Sequence, residues 1–274
     1  MFEQLLSDIG VIWARYGTVY LTGIGNTLIL SIIATLIGCV IGFFCGILQT
    51  IPYASGDLWI KRFVLKLLRI FIRIYVETFR GTPMILQAVF IYYGMPYFFG
   101  ISFRDIWTVS ILVVSINTGA YMAESVRGGI MSIDPGQFEG ARAIGMNHFQ
   151  TMLYIILPQT LRNIMPQIGN NYIINVKDTS VMFIIGFQDF FAVHKMVSGA
   201  IFKYFPSALL EMAGYLFLTL LASFLLRKFE KKLQGSANYE LVNTDQLVMT
   251  AGNYQFPGAA PYEEKSRDYQ GEQP

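Results

Sequence analysis

The feature that most constrains this chain is a long stretch without charge near its start. No charged residue occurs between Arg15 and Asp57, and residues 21–48 are mostly apolar. A bilayer core about 30 Å thick is crossed by about 20 apolar residues in an α-helix. The stretch therefore predicts a first membrane span at residues 21–48.

The rest of the chain up to residue 234 alternates apolar runs with short charged segments. We predict four further spans, at residues 81–103, 106–123, 149–175 and 207–226, with the break at Gly81–Thr82–Pro83 placed at the start of the first of them. An apolar but interrupted segment, residues 177–205, is expected to be partly re-entrant, which membranes tolerate where protein or water covers the backbone. The predicted fold is all-α, a polytopic membrane protein with about five transmembrane helices.

Composition supports this class and excludes others. Only 14% of the residues are charged and 54% are hydrophobic, whereas soluble domains carry roughly 25% charged residues. A soluble enzyme is therefore excluded, and nucleic acid is not expected as a partner because the basic residues are spread among the spans. We predict a membrane domain at residues 1–234 and an acidic, disordered cytoplasmic tail at residues 235–274.

The basic residues predict the orientation of the spans. Segments rich in lysine and arginine stay on the cytoplasmic side of membranes. Such residues follow the first, third and fifth spans: Lys61, Arg62, Lys66, Arg69, Arg127, Arg142, Arg227, Lys228, Lys231 and Lys232. The N-terminus is therefore expected outside and the C-terminus in the cytoplasm.

Two groups of small residues predict close contacts between helices. Gly38, Gly42 and Gly46 recur every four residues in the first span and so share one helix face. The second group lies in a predicted cytoplasmic loop at residues 134–148. There Asp134 and Pro135 suit a helix start and Gly145 suits its end.

The short helix between those signals has small side chains at Gly140, Ala141 and Ala143. Such a helix buries little by itself and is suited to the groove of a partner protein. The alternative is that it lies on its own helix bundle.

Five segments in this order resemble one family. They are residues 77–83 (ETFRGTP), 120–129 (AYMAESVRGG), 136–145 (GQFEGARAIG), 157–162 (LPQTLR) and 175–180 (NVKDTS). Glu139-Gly-Ala-x-Ala-x-Gly145 resembles the EAA loop of permease subunits of bacterial ABC importers. The set is similar to the histidine, glutamate, glutamine, arginine and opine branch. Gly140 departs from the alanine usual in that loop, and the tail after residue 234 has no counterpart in the family pattern.

The resemblance implies an ATP-driven importer of polar amino acids in the bacterial inner membrane. The chain would be the translocation subunit and not an enzyme, with Glu139, Gly140, Ala141, Ala143 and Gly145 held by a separate ATPase. This sequence has no phosphate-binding loop of the GxxxxGK[ST] type. The resemblance therefore implies that ATP and magnesium bind to the separate ATPase. Implied partners are ATPase subunits, a second permease subunit in a homodimer or heterodimer, and an extracytoplasmic amino-acid-binding protein.

Polar residues within the spans are candidates for the substrate pathway. Lys177, Thr179 and Ser180 offer donors for a carboxylate, and Asp178 offers an acceptor for an ammonium group. The alternative is an internal Lys177–Asp178 pair. Asn117, midway along the third span, is a weaker candidate, because a lone asparagine in a membrane commonly bridges helices.

The remaining charged candidates are assigned structural roles. Glu77 with Arg80, and Glu124 with Arg127, are interpreted as structural ion pairs. No histidine or cysteine has a second one at metal-ligand spacing, so no metal site is expected, and no catalytic constellation is present.

Three other functions remain open at this stage. A secondary transporter or channel would work without ATP, but such proteins usually contain internal repeats, which are not evident here. An intramembrane enzyme would need catalytic residues, and a scaffold would not need the helix at 139–145. The sequence does not identify the amino acid that is carried.

Overall fold

The computed structural model describes residues 2–52, 56 and 58–234, and that part of the chain is helical with no strand. The predicted tail at 235–274 lies outside the described residues. The helices are α1 (Phe2–Thr50), α2 (Trp59–Gly81), α3 (Met84–Val89), α4 (Met95–Phe99), α5 (Ile106–Met131), α6 (Pro135–Ala143), α7 (His148–Thr151), α8 (Leu157–Asp178), α9 (Phe190–Ile201) and α10 (Tyr204–Gln234). π-Helical turns at Phe90–Gly94 and Met152–Ile156 and a 3₁₀ helix at Thr179–Ile185 complete them.

Three helices in the described part are long and apolar enough to cross a membrane: Glu3–Thr50, Ile106–Met131 and Tyr204–Lys232. A fourth crossing results if the bent pair His148–Ile185 and Phe190–Ile201, which meet at 54°, forms one span. The apolar helix Met84–Phe99 is shorter than these. The all-α membrane fold is therefore confirmed, and this short helix occupies the position of the broken second span.

Prolines account for two of the irregular segments. Pro83 caps the start of α3 with extended backbone, which separates α2 from α3 at the predicted break. Pro158 lies in the first turn of α8. A proline has no N–H for the carbonyl four residues before it, so the preceding turn loosens into the π-helix Met152–Ile156.

The glycine face of α1 packs against α5, as predicted. A methyl group at Gly38 would lie 2.6 Å from the Cβ of Thr118, and one at Gly46 would lie 2.7 Å from the Cβ of Val126. Gly42 faces Met122 at similarly close range. Only hydrogen side chains allow the two backbones to approach this closely, so these glycines fix α5 beside α1. We call this contact the glycine seam.

Two apolar clusters lie at different levels of the α1–α5 pair. One contains Leu30, Val113 and Phe187. The other contains Met122 and Ile156 with residues around the start of α8. α5 contacts α1, α2 and α8, so the functional side chains of this helix are held from several sides.

Candidate translocation cavity and coupling surface

Side-chain amides satisfy the backbone at the break beside Pro83. Gln87 donates from Nε2 to the carbonyl oxygens of Phe79 and Thr82, at 2.9 Å each. Asn117 donates from Nδ2 to the carbonyl of Phe79 at 3.1 Å and to Oε1 of Gln87 at 3.0 Å. Carbonyls released at a helix end need such partners. Asn117 therefore ties α5 to the broken segment, which is the helix-bridging role that made it the weaker substrate candidate.

A buried polar layer joins three helices nearby. Asn175 on α8 donates from Nδ2 to the hydroxyl oxygen of Thr35 at 2.8 Å and to that of Thr118 at 2.9 Å. The three side chains are 5% exposed or less. Because a satisfied polar network has strict geometry, it fixes the register of α8 against α1 and α5.

A cavity of about 450 Å³ opens beside this layer. This volume lies in the roughly 300–1,000 Å³ range of small-molecule pockets. Asp178 and Arg80 are the charged residues of its wall. The polar and aromatic remainder includes Thr82, Asn117, Thr118, Tyr121, Asn171 and Asn175. The cavity thus offers one acid, one guanidinium group and several amides to a ligand.

An ion pair connects the end of α2 to α5. Arg80 on α2 pairs with Glu124 on α5, and Glu77 lies 4.0 Å from Arg73 on its own helix. The predicted ion pairs joined residues close in sequence, Glu77 with Arg80 and Glu124 with Arg127. In the structure Arg80 instead pairs with Glu124 across two helices. Arg127 lines a neighbouring cavity of about 390 Å³, together with Arg73, Glu77, Glu124 and Arg80, and Arg80 belongs to both cavities.

The structure divides the candidate pathway segment at the end of α8. Consecutive residues of a helix point about 100° apart. Asp178 accordingly lines the cavity with Asn117, while Lys177 and Ser180 line a different pocket. Thr179 is fully buried and donates to the carbonyl of Val176 at 3.1 Å. Thr179 lines neither of these two pockets, so it is not positioned as a substrate donor.

The predicted loop helix forms with the expected ends. Asp134 accepts a hydrogen bond from the N–H of Gly136 at 2.7 Å, which caps α6, and Pro135 follows in its first turn. Gly145 ends the helix with a φ of 81°, in the left-handed region that favours glycine. The N–H of Met146 then bonds to the carbonyl of Ala141 at 3.0 Å.

One face of α6 rests on its own bundle and the other is open. Ala141 is 2% exposed, whereas Glu139, Gly140, Ala143 and Gly145 are exposed. A methyl group at Gly140 would meet nothing within 4 Å. Phe138 and Ala141 thus pack on the chain's own bundle, while docking of the exposed face in a partner's groove stays a prediction.

Comparison with known proteins gives the family. Residues 38–235 match the model of the binding-protein-dependent transport system inner membrane component. The chain belongs to this family. The glutamine transport system permease protein GlnP of Escherichia coli K12 is 32% identical over 227 residues, which cover 83% of this chain and 98% of that protein. A putative GlnP of Rickettsia bellii is 34% identical over 76% of this chain and 89% of its own length.

Solved structures agree with this assignment. The permease resembles a chain from an amino acid ABC transporter crystallised with histidines, with a TM-score of 0.71, 32% identity, and coverage of 81% of this chain and 97% of that chain. Its fold also matches a chain of the MetNI methionine ABC transporter, with a TM-score of 0.66 and 17% identity. The chain is therefore a membrane permease subunit of an ABC importer and not an enzyme.

Sequence reasoning missed several residues of both sites. Gln87 and Asn175 gave no separate signal, because their roles depend on helices that meet only in the fold. Ile144 and Phe149, beside α6, are 76% and 73% exposed. Two large apolar side chains next to a helix of small residues form a surface suited to a protein partner. Among the described residues, no group of His, Cys, Asp and Glu forms a metal-binding cluster.

Proposed function

We propose that this permease carries a polar amino acid across the inner membrane, and that the substrate passes through the cavity lined by Asp178 and Arg80. The observation that carries the proposal is the placement of one acid and one guanidinium group in the same cavity of about 450 Å³. Its similarity to a glutamine transport permease and to an amino acid ABC transporter supports this substrate class.

The wall chemistry matches a zwitterion. The Asp178 carboxylate accepts hydrogen bonds from an α-ammonium group, and Arg80 donates to an α-carboxylate. Arg80 can do so while it holds Glu124, because a guanidinium group has five N–H donors. Asn171 donates from Nδ2 to the carbonyl of Gln167 at 3.0 Å, so its Oδ1 is the part of this wall amide that is offered to the substrate side chain. Glutamine and arginine, among others, fit this description.

Energy comes from a separate ATPase in this proposal. The open face of α6, with Glu139 and Gly145, and the exposed Ile144 and Phe149 beside it would enter a groove of that subunit, which binds ATP and magnesium. A second permease subunit, identical or related, and an extracytoplasmic binding protein complete the importer. The N-terminus would face outside and the end of α10 the cytoplasm, which places α6 on the ATPase side.

Asp178→Asn tests the cavity. Asparagine keeps the shape and removes the charge that receives the ammonium group. Losing a charge-assisted hydrogen bond should lower transport in proteoliposomes by about tenfold or more. The ATPase should still co-purify, because Asp178 lines the cavity and is not part of the exposed face of α6.

Asp105→Asn is the matched control. Asp105 caps α5 through the N–H of Thr108 at 3.2 Å, and asparagine caps helices equally well. Its transport should stay near wild type. Normal rate and affinity for Asp178→Asn would contradict the cavity assignment and direct attention to Asn117. Uptake driven by an ion gradient without any ATPase would instead support the secondary-transporter alternative.

A further inference from the structure

A second pocket lies at the end of α8 and is lined by residues other than those of the translocation cavity. It has a volume of about 350 Å³ and lies between the end of α8, the start of α9 and the first part of α10. Its polar wall residues are Lys177, Ser180, Glu211 and Tyr215, and its other wall residues are Phe191, Ala208 and Met212. This pocket contains one acid and one base within a largely apolar wall.

Glu211 is the unusual member of this wall. The residue is 6% exposed. Its Oε2 lies 3.7 Å from Nδ1 of His194, but its Oε1 is buried with no hydrogen-bond partner among the described residues. An acidic group at membrane depth is costly unless it is paired. A buried polar atom left unpartnered in this way calls for an explanation.

The neighbouring donors are engaged elsewhere. His194 has its Nδ1 2.8 Å from the Ser207 hydroxyl, which in turn lies 2.7 Å from the hydroxyl of Tyr20. Tyr215 donates to Oδ2 of Asp189 at 3.3 Å.

Lys195, the other nearby cation, stands over aromatic rings. Its Nζ lies 5.6 Å from the ring centroid of Phe191 and 5.1 Å from that of Tyr204. The Oε1 atom of Glu211 is thus left for a group that enters the pocket from outside the chain.

We infer that this pocket binds a zwitterion that carries a primary ammonium group and an anionic group. The ammonium group donates to Oε1 of Glu211, and the anionic group accepts from Lys177 and Ser180. Two molecules share this chemistry: a free α-amino acid and the ethanolamine phosphate headgroup of phosphatidylethanolamine. The site is distinct from the Asp178 cavity, so it does not depend on the proposed function.

The test uses the purified full-length permease in nanodiscs and has two arms. In the lipid arm, nanodiscs contain an equal mixture of phosphatidylethanolamine and phosphatidylcholine, and native mass spectrometry measures which lipid is retained. Phosphatidylcholine is the matched probe, because its quaternary ammonium has no N–H to donate. In the amino-acid arm, nanodiscs contain phosphatidylcholine alone, and binding of radiolabelled glutamine is measured.

Glu211→Gln should reduce binding of the retained probe by about tenfold, since a charge-assisted hydrogen bond is lost. Lys177→Gln should also weaken binding, and it changes an exposed side chain, so it tests the site even if the Glu211 variant fails to fold. Glu230→Gln, on the same helix and outside the pocket, should leave binding unchanged. Retention of phosphatidylethanolamine identifies the lipid as the ligand, and glutamine binding that survives Asp178→Asn identifies the amino acid.

Two results would overturn the inference. One is that the wild-type chain retains phosphatidylethanolamine no better than phosphatidylcholine and also shows no glutamine binding that survives Asp178→Asn. The other is binding that both pocket variants leave intact. Failure of the Asp178→Asn transport test would affect only the proposed function.

Discussion

Two groups of small residues in this permease share one sequence signature but differ in what they contact. Gly38, Gly42 and Gly46 of the glycine seam press against Thr118, Met122 and Val126 of α5 within the same chain. Gly140 and Ala143 lie on α6, and Gly145 lies two residues beyond its end; all three are exposed. The first group is covered by another helix of the same chain, and the second remains exposed on the surface.

Small residues in a helix determine how closely another backbone can approach, but not which backbone it is. They permit close approach of another backbone, which is a local property that spacing reveals. They do not specify whether the approaching backbone belongs to the same chain. Changes in the seam should therefore affect folding, whereas changes on α6 should affect assembly with the ATPase.

The largest effect is expected from Gly42→Ala. The added methyl group would overlap Met122 and push α1 away from α5, and overpacking of this kind costs about 3 kcal/mol. The free energy of unfolding in detergent should fall accordingly. Gly25→Ala is the matched control, because a methyl group there meets nothing within 4 Å on the same helix. Equal stabilities of the two variants would mean that the seam is not a stabilising contact.

The seam also shows how far sequence alone could predict the fold. A four-residue glycine period, the break at Pro83 and the caps of α6 are local signals, and the structure has each of them. The end of α6 at Ala143 is followed two residues later by Gly145, whose left-handed backbone explains why glycine occurs there. Local chemistry was sufficient for these features because each depends on residues close in the chain.

The cavity could be predicted only in part, because its wall is formed by residues that are distant in the chain. Asp178 and Asn117 were identified as polar residues within spans, and both line it. Arg80 was assigned to an ion pair, and its place in the same wall follows from how α2 meets α5. Lys177 could not be separated from Asp178 by sequence, because the division depends on which helices pack against each side of α8.

The second-largest effect is expected from Gly145→Asp. It should change the stability of the permease little but strongly reduce its assembly with the ATPase. The charge would stand on the open surface beside α6, and a residue other than glycine is strained at a φ of 81°. We expect the permease to stay folded in the membrane and to lose most of its co-purifying ATPase. Gly145→Asn separates the causes, since asparagine tolerates this backbone better than most residues and adds no charge.

If Gly145→Asn keeps the ATPase and Gly145→Asp loses it, charge at the docking surface is responsible. If both lose it, the backbone of the helix end is responsible. Co-purification of normal amounts of ATPase with the aspartate variant, together with substrate-stimulated ATP hydrolysis, would remove Gly145 from the coupling surface.

The smallest effect is expected from Gly140→Ala, and it sharpens the comparison most directly. Unlike Gly42, Gly140 has open space where the methyl group would go. Alanine is favoured over glycine inside a helix by up to about 1 kcal/mol, so α6 should become slightly more stable and ATPase binding should stay within about twofold. Gly140→Leu changes the same site by bulk, and it should weaken ATPase binding while the thermal stability of the isolated permease stays constant. Destabilisation of the isolated chain by either substitution would show that this face of α6 is covered within the permease itself, and the contrast with the glycine seam would then fail.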